Sequence, residues 1–343
     1  MKHTTTFALR ATAAAALLGL CSTAFALETS ANIELDNTYR TGTLTKNTSD
    51  AGLTQSGRVE VNATGKVGSK YFVAGKAAIL AKKDGTAATD DMWIQLGSEA
   101  GDVKLGRFEG ADLFPLAQDT VVNHAGTVYG TNFLRGRKAA NVFHAAGTVN
   151  FAKGVGLEVG FIESKTADAA KKTGEAKGIR PVFFVDSGPL SAKLGFEAGK
   201  FALPNGAIAA APVATATDLQ FSGAKFTGLG ATVGYDFSGF KITGNFAGNK
   251  VKADGITLKY NSFGITGQAG PAVLGLIAAS NDYKTGSKEK VTTFYASYSL
   301  PLFDIKGATV TPALSVSKAK DVLGQAGTSV KDTSARVRFN YTF

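Results

Sequence analysis

Histidine is the side chain best suited to moving protons near neutral pH, and the chain holds three, His3, His124 and His144. His124 and His144 stand far apart in sequence, and no Ser or Asp pattern selects either as the base beside a nucleophile. The single cysteine, Cys21, lies in an N-terminal stretch that reads as an export signal, so the remainder has no thiol chemistry, disulfide or cysteine metal site. No metal-ligand spacing, phosphate loop or nucleotide fingerprint occurs. Gly228-Leu229-Gly230 lacks the strand-to-helix context that a dinucleotide site needs. The residues thus argue against an enzyme and imply no cofactor. What remains is electrostatic. Eight arginines lie beyond the signal, and guanidinium groups stay charged and present several donors to carboxylate or phosphate.

The elements that must position those charges begin after residue 26. Lys2 and Arg10 give a positive start, Ala11 to Leu20 is a short apolar stretch, and Ala24-Phe25-Ala26 is a small-residue cleavage site. Residues 1–26 are therefore expected to be a cleaved signal peptide and residues 27–343 the mature domain. Leu20 stands before Cys21 where a lipoprotein signal would place a small residue. Removing Lys2 and Arg10 lowers the formal charge from +10 to +8. Export excludes nucleic acid as the reason for that balance, leaving a positive lumen or rim. No later stretch is long and apolar enough for a helical membrane anchor. With 41 glycines, 8 prolines and a mean hydropathy of +0.04, the composition suits strands whose residues alternate between lipid and water.

Alternation runs through sixteen segments: 31–40, 57–67, 71–82, 90–98, 101–108, 138–150, 155–164, 178–186, 189–200, 218–237, 240–250, 255–266, 272–284, 290–300, 307–318 and 332–343. The pattern is blurred in 218–237 and 272–284. About 20 residues per strand and connection suits a membrane barrel. Short turns, such as Gly68-Ser69 and Ser238-Gly239, follow even segments, and longer polar stretches follow odd ones. That parity fits external loops alternating with periplasmic turns. The fold class is all-β, a 16-stranded antiparallel transmembrane β-barrel. In the last segment Ala335, Val337, Phe339, Tyr341 and Phe343 share one face, and Arg336, Arg338, Asn340 and Thr342 the other. Lipid-facing charges cost about 2–4 kcal/mol near the bilayer midplane, so charges are assigned to the lumen: Arg58, Lys76, Arg336 and Arg338 by parity. Tyr39, Tyr71, Tyr235, Tyr260 and Tyr298 are read as parts of aromatic girdles.

The run Asp91-Met92-Trp93-Ile94-Gln95-Leu96-Gly97-Ser98, then Gly101-Asp102-Val103-Lys104-Leu105-Gly106-Arg107-Phe108, resembles the strand–turn–strand before the constriction loop of general porins of the Gram-negative outer membrane. The terminal Phe343 resembles the sorting signature of such barrels. The resemblance implies a homotrimer whose third external loop folds inward and narrows the lumen. Here that loop is Glu109 to about Arg137, and loops of this length are usually functional. It lacks the Pro-Glu-Phe-Gly-Gly signature of the enterobacterial members. The family's eyelet sets wall cations against loop acids. Carried over, that implies a constriction of Arg58, Lys76, Arg107, Arg135, Arg137, Arg336 and Arg338 facing Glu109, Asp112 and Asp119, with Asp112-Leu113-Phe114-Pro115-Leu116 packing the loop on the wall.

The function so implied is passive diffusion of small hydrophilic solutes, biased toward anions because charged rings select ions. One alternative is a substrate-specific porin for a sugar or carboxylate, with Trp93, Tyr129 and Phe143 as stacking steps, although Phe143 has lipid parity. Another is a non-conducting structural or adhesive barrel. Arg40 and Arg180 read as wall or rim charges. Lys165, Lys171, Lys172 and Lys177 read as a solvated loop run, with glycolipid phosphates as the alternative. The partners implied are outer-membrane lipid, lipopolysaccharide and small anionic solutes.

Overall fold

The structure, a computed structural model, describes residues 26–43, 51–67, 70–82, 84–128, 134–136, 142–167, 173–202, 224–253, 256–284 and 286–343. Sixteen long strands and one two-residue strand follow in order among these residues: β1 Ala26–Gly42, β2 Gly52–Val67, β3 Tyr71–Ala81, β4 Ala87–Ser98, β5 Gly101–Arg107, β6 Val142–Ala152, β7 Val155–Ala167, β8 Thr173–Ser187, β9 Leu190–Ala202, β10 Ala224–Asp236, β11 Phe240–Ala253, β12 Ile256–Ala269, β13 Ala272–Asp282, β14 Glu289–Tyr298, β15 Leu300–Pro301, β16 Ala308–Lys320 and β17 Ser329–Thr342. Every pairing is antiparallel between sequence neighbours, β14 joins β16 directly, and β1 pairs with both β2 and β17. The sheet therefore closes on itself and leaves no edge strand, which is what a strand-built membrane span requires. Each of the sixteen segments read from the alternation has its strand. The expected signal peptide falls almost wholly on residues 1–25, outside the described residues, and β1 begins at Ala26.

Successive side chains on a strand point to opposite faces, and here the two faces invert the rule of a water-soluble sheet. Large apolar residues are exposed on the outside: Ile33, Leu35, Val59, Ile94, Phe161, Phe183, Leu229, Phe263, Leu276 and Phe339 among them. The buried face carries Glu34, Asp90, Asp91, His144, Arg180, Glu197, Asn245, Ser262, Thr293 and Asp332. An apolar exterior of this extent suits hydrocarbon, not water. Tyr39, Tyr71, Tyr235 and Tyr298 are exposed with it. Tyr260 departs from the girdle expectation: it is buried, edge-on to Tyr283, in a cluster with Phe226, Val251 and Leu258. Its parity on β12 is that of Leu258 and Ser262, which face inward.

The connections follow the expected parity with two exceptions. The link between β11 and β12 spans only residues 254–255, although it lies at the long-loop end. Conversely, residues 299–307 at the opposite end contain β15 and several turn residues. Phe303 and Asp304 there adopt left-handed φ values of 51° and 56°, a conformation that turns without glycine reach at a small steric cost.

Candidate functional site

Two groups of charged residues lie on the inner face. The first is built by cross-strand register. Glu34 on β1 stands opposite Arg58 on β2, and Asp36 stands opposite Arg338 on β17. Arg58 reaches Glu34 at 2.6 Å, Asp90 at 3.4 Å and Glu60 at 3.9 Å. Lys76 bridges Glu60 at 2.8 Å and Asp91 at 3.1 Å. Arg338 holds Asp36 with two nitrogens at 2.7 and 2.8 Å, the forked geometry that a guanidinium favours. Arg336 lies 3.6 Å from Asp36. The second group joins Arg135 to Glu109 and Asp112, both at 3.2 Å, with Arg180 buried behind it 3.6 Å from Glu197.

Between them, Lys104 places its ammonium 3.8 Å from the Trp93 ring centroid and 4.8 Å from that of Phe108, within cation–π range. Trp93, Lys104 and Phe108 line a cleft with Arg58, Lys76, Asp91 and Glu109. Phe108 also stacks on His144 at 3.8 Å, and His144 Nδ1 donates to the Phe108 carbonyl at 3.1 Å.

Residues 108–128 contact inner-face residues on several strands, from Glu158 of β7, which accepts from the Ala111 amide at 2.8 Å, to β13–β17, which Asp119 to Thr127 reach. Arg338 donates to the Asp119 carboxylate at 2.9 Å and Arg336 to the Asp119 carbonyl at 2.7 Å. Asn123 donates to the Ser334 hydroxyl at 2.6 Å, His124 Nδ1 meets Thr293 at 2.8 Å, and the Ala125 amide donates to Ser317 at 2.9 Å. Glu289, fully buried, accepts from the Thr127 amide at 3.1 Å, from Asn281 at 2.9 Å and from the Leu323 amide at 3.1 Å. Burial holds the His124 imidazole far below its ordinary range, at about 3, so it is neutral in this contact at pH 7.

The wall is shaped to take the segment. A Cβ on Gly195 would come within 2.5 Å of Leu113, and one on Gly264 within 2.8 Å of the Phe114 ring. One on Gly178 would come within 2.5 Å of Leu134. Each missing side chain leaves the space that an apolar side chain of the connection fills. Phe114 then packs with Ala247, Val273, Ile277 and Tyr295, and Leu116, Val122 and Val128 lie against the same cluster. The expected packing of Asp112 to Leu116 on the wall is realised by Leu113 and Phe114.

Of the ten residues expected at the site, Arg58, Lys76, Arg336 and Arg338 fall in the first group with Asp119, and Glu109, Asp112 and Arg135 form the second. Arg107 is placed differently. It stands in register with Met92, which is 59% exposed, and its Nε donates to the Asp90 carbonyl at 2.9 Å. Arg137 and Tyr129 lie outside the described residues. Phe143 is exposed on the outer face, so it is no step beside Trp93. The wall acids Glu34, Asp36 and Glu60 have inward parity in the sequence. Their pairing with arginines needs the register, which the alternation does not give. Arg180 and Glu197 carried no distinguishing signal.

Solved structures share this fold. The in-vitro folded trimer form of OmpT, an outer membrane protein of Vibrio cholerae, superposes with a TM-score of 0.66 at 13% identity, over 93% of this chain and 100% of that one. The outer membrane channel DcaP of Acinetobacter baumannii gives 0.63 at 12%, over 94% and 98%. OmpF of Salmonella typhi, in complex with daunomycin, gives 0.58 at 12%, over 92% and 97%. No protein-family model matches the chain, and no curated protein matches it in sequence. At these identities the likeness is one of fold: the chain has the architecture of outer-membrane β-barrels.

Proposed function

We propose that the chain is an outer-membrane porin, a water-filled channel through which small hydrophilic solutes diffuse, exported by a cleaved signal and assembled as a homotrimer. The observation that carries this reading is the anchoring of residues 108–128 on inner-face residues of a closed barrel with a charged inner wall. A segment held there narrows the lumen and sets a size limit. On this reading the protein does no covalent chemistry, and its work is to select by size and charge.

The anion preference expected from the arginines takes a different form. Arg58, Lys76, Arg336 and Arg338 contact six carboxylates, those of Glu34, Asp36, Glu60, Asp90, Asp91 and Asp119. Among the described residues, four cations against six acids leave a formal −2 for this group. A paired guanidinium contributes a local dipole more than a net attraction, so the proposal carries weak charge selectivity with a transverse field. A second reading, selective passage of sugars, is favoured by one observation: Trp93 lies on a polar cleft, where stacking and hydrogen bonds could act together. Liposome swelling with neutral sugars of graded size and with carboxylates separates the two. A diffusion porin gives rates that fall smoothly with size. Saturable uptake of one sugar supports the second reading. No swelling with any solute rejects both.

A further inference from the structure

The outer face carries a pattern that the pore does not use. On β8, β9, β10 and β11 the exposed residues Lys177, Lys200, Lys225 and Lys252 stand directly opposite one another in successive registers. Lys250 on β11 then stands opposite Lys259 on β12. Past β13 the row resumes, with Lys290 of β14 opposite Lys320 of β16, and Lys318 opposite Lys331 of β17. All ten have the parity of the exposed apolar residues beneath them, as Lys225 has with Leu229 and Val233. Among the described side chains two acids share this height, Glu163 opposite Lys177 and Asp282 opposite Lys259. Among the described residues none of the ten lysines forms an ion pair with a carboxylate, and the outward residues of β1 to β6 include no lysine.

Like charges directly opposite on neighbouring strands repel, so such a row is unfavourable unless anions lie against it. Its height identifies which anions. From Lys225 to the exposed Tyr235 at the other end of β10 is ten residues. At about 3.3 Å per residue and a tilt near 40° that spans roughly 25 Å of membrane normal, the height of the apolar band of such barrels. The lysines therefore stand where hydrocarbon gives way to headgroups, at the end that bears the long connections, 203–223 among them.

We propose that the outward lysine belt of β8 to β17 binds the phosphates of the anionic glycolipid surrounding the barrel, along one arc of its circumference. The inference rests on the outer-membrane placement proposed above but not on conduction.

The test uses the purified full chain in detergent, titrated with bis-phosphorylated lipid A and with fully dephosphorylated lipid A, bound lipid being counted by native mass spectrometry. The native protein is expected to prefer the phosphorylated lipid at least tenfold. The variant K200Q/K225Q/K252Q/K259Q is expected to lose at least tenfold in affinity, while K153Q/K306Q, changed at the opposite end, binds as the native protein does. Strand content by circular dichroism reports whether each variant has folded, and the two-lipid comparison on native protein stands even where a variant fails. Equal binding of the two lipids, an unaffected quadruple variant, equal loss in K153Q/K306Q, or displacement of lipid A by equimolar inorganic phosphate would overturn the proposal. Absence of channel steps with the lipid preference intact would instead overturn the pore.

Discussion

Asp119→Asn separates the role of the 108–128 segment from that of the wall. The substitution keeps the carbonyl that receives Arg336 and removes the carboxylate that receives Arg338 at 2.9 Å. Arg338 is not orphaned, because Asp36 still holds it twice and Glu34 lies 3.4 Å away. An amide oxygen can still accept from Arg338, so the loss is the carboxylate charge of a contact between partners that are 15% and 17% exposed. Hydrogen bonds to charged groups contribute about 1.5–3 kcal/mol, roughly twice a neutral one, so the charge contributes about 1 kcal/mol. A difference of about 1 kcal/mol changes an equilibrium roughly 5-fold, since 1.4 kcal/mol is a factor of ten. Single-channel recording in planar bilayers should then show brief excursions to higher conductance about 5 times more often, with a small fall in the urea midpoint of unfolding that matches the same loss. Arg338→Met is different, because it leaves Asp36 and Glu34 short of a cation; breaking a buried pair costs about 3–5 kcal/mol, discounted here for exposure. It should lower the unfolding midpoint further than Asp119→Asn does. The reasoning is refuted if Asp119→Asn leaves the current record unchanged, or if the two variants lower the midpoint equally.

Three further outcomes follow from the same geometry. Gly264→Val puts a side chain where the Phe114 ring lies, so it should unseat the segment and cost about 1–3 kcal/mol as overpacking does; swelling assays should show a raised size limit, and an unchanged limit would contradict the fit. His124 has a folded-state value of about 3, below its ordinary 6.5, so its contact with Thr293 is fully favourable above pH 6.5 and weakens as the pH falls from there toward 3. Excursions to high conductance should rise between pH 7 and pH 4 in the native protein and rise less in His124→Asn, at equal salt. Because the wall arginines are paired, reversal potentials in a salt gradient at pH 7 should lie near zero, and a strongly anion-selective value would show that unpaired cations dominate the passage.

The strand count and facing were legible because the alternation has a period of two and lipid exposes one face of nearly every strand. The segment 272–284 was blurred for a reason now visible: the inward residues of β13 include Val273, Ile277 and Ala279, and residues 116, 122 and 128 pack against that wall. With apolar neighbours on both sides, β13 has no water-facing face to reveal. The wall cations Arg58, Lys76, Arg336 and Arg338 were legible by parity. Their acids were not, since pairing depends on register, and a one-residue slip would exchange every partner. The seats at Gly195 and Gly264 were hidden because a glycine in a strand looks the same whether it faces a loop or empty space. The lysine belt was hidden because most steps from one strand's lysine to the next, as from Lys177 to Lys200 and Lys225, exceed twenty residues, and they become neighbours only in the closed sheet.

The most direct measurement compares the single-channel conductance of the native protein with that of a variant in which residues 112–126 are replaced by a short Gly-Ser link. A water-filled barrel narrowed by that segment predicts discrete steps in both, larger in the shortened protein, with a higher size limit for sugars. Equal steps would place the segment outside the conducting path, and the absence of steps from both folded proteins would contradict the channel itself.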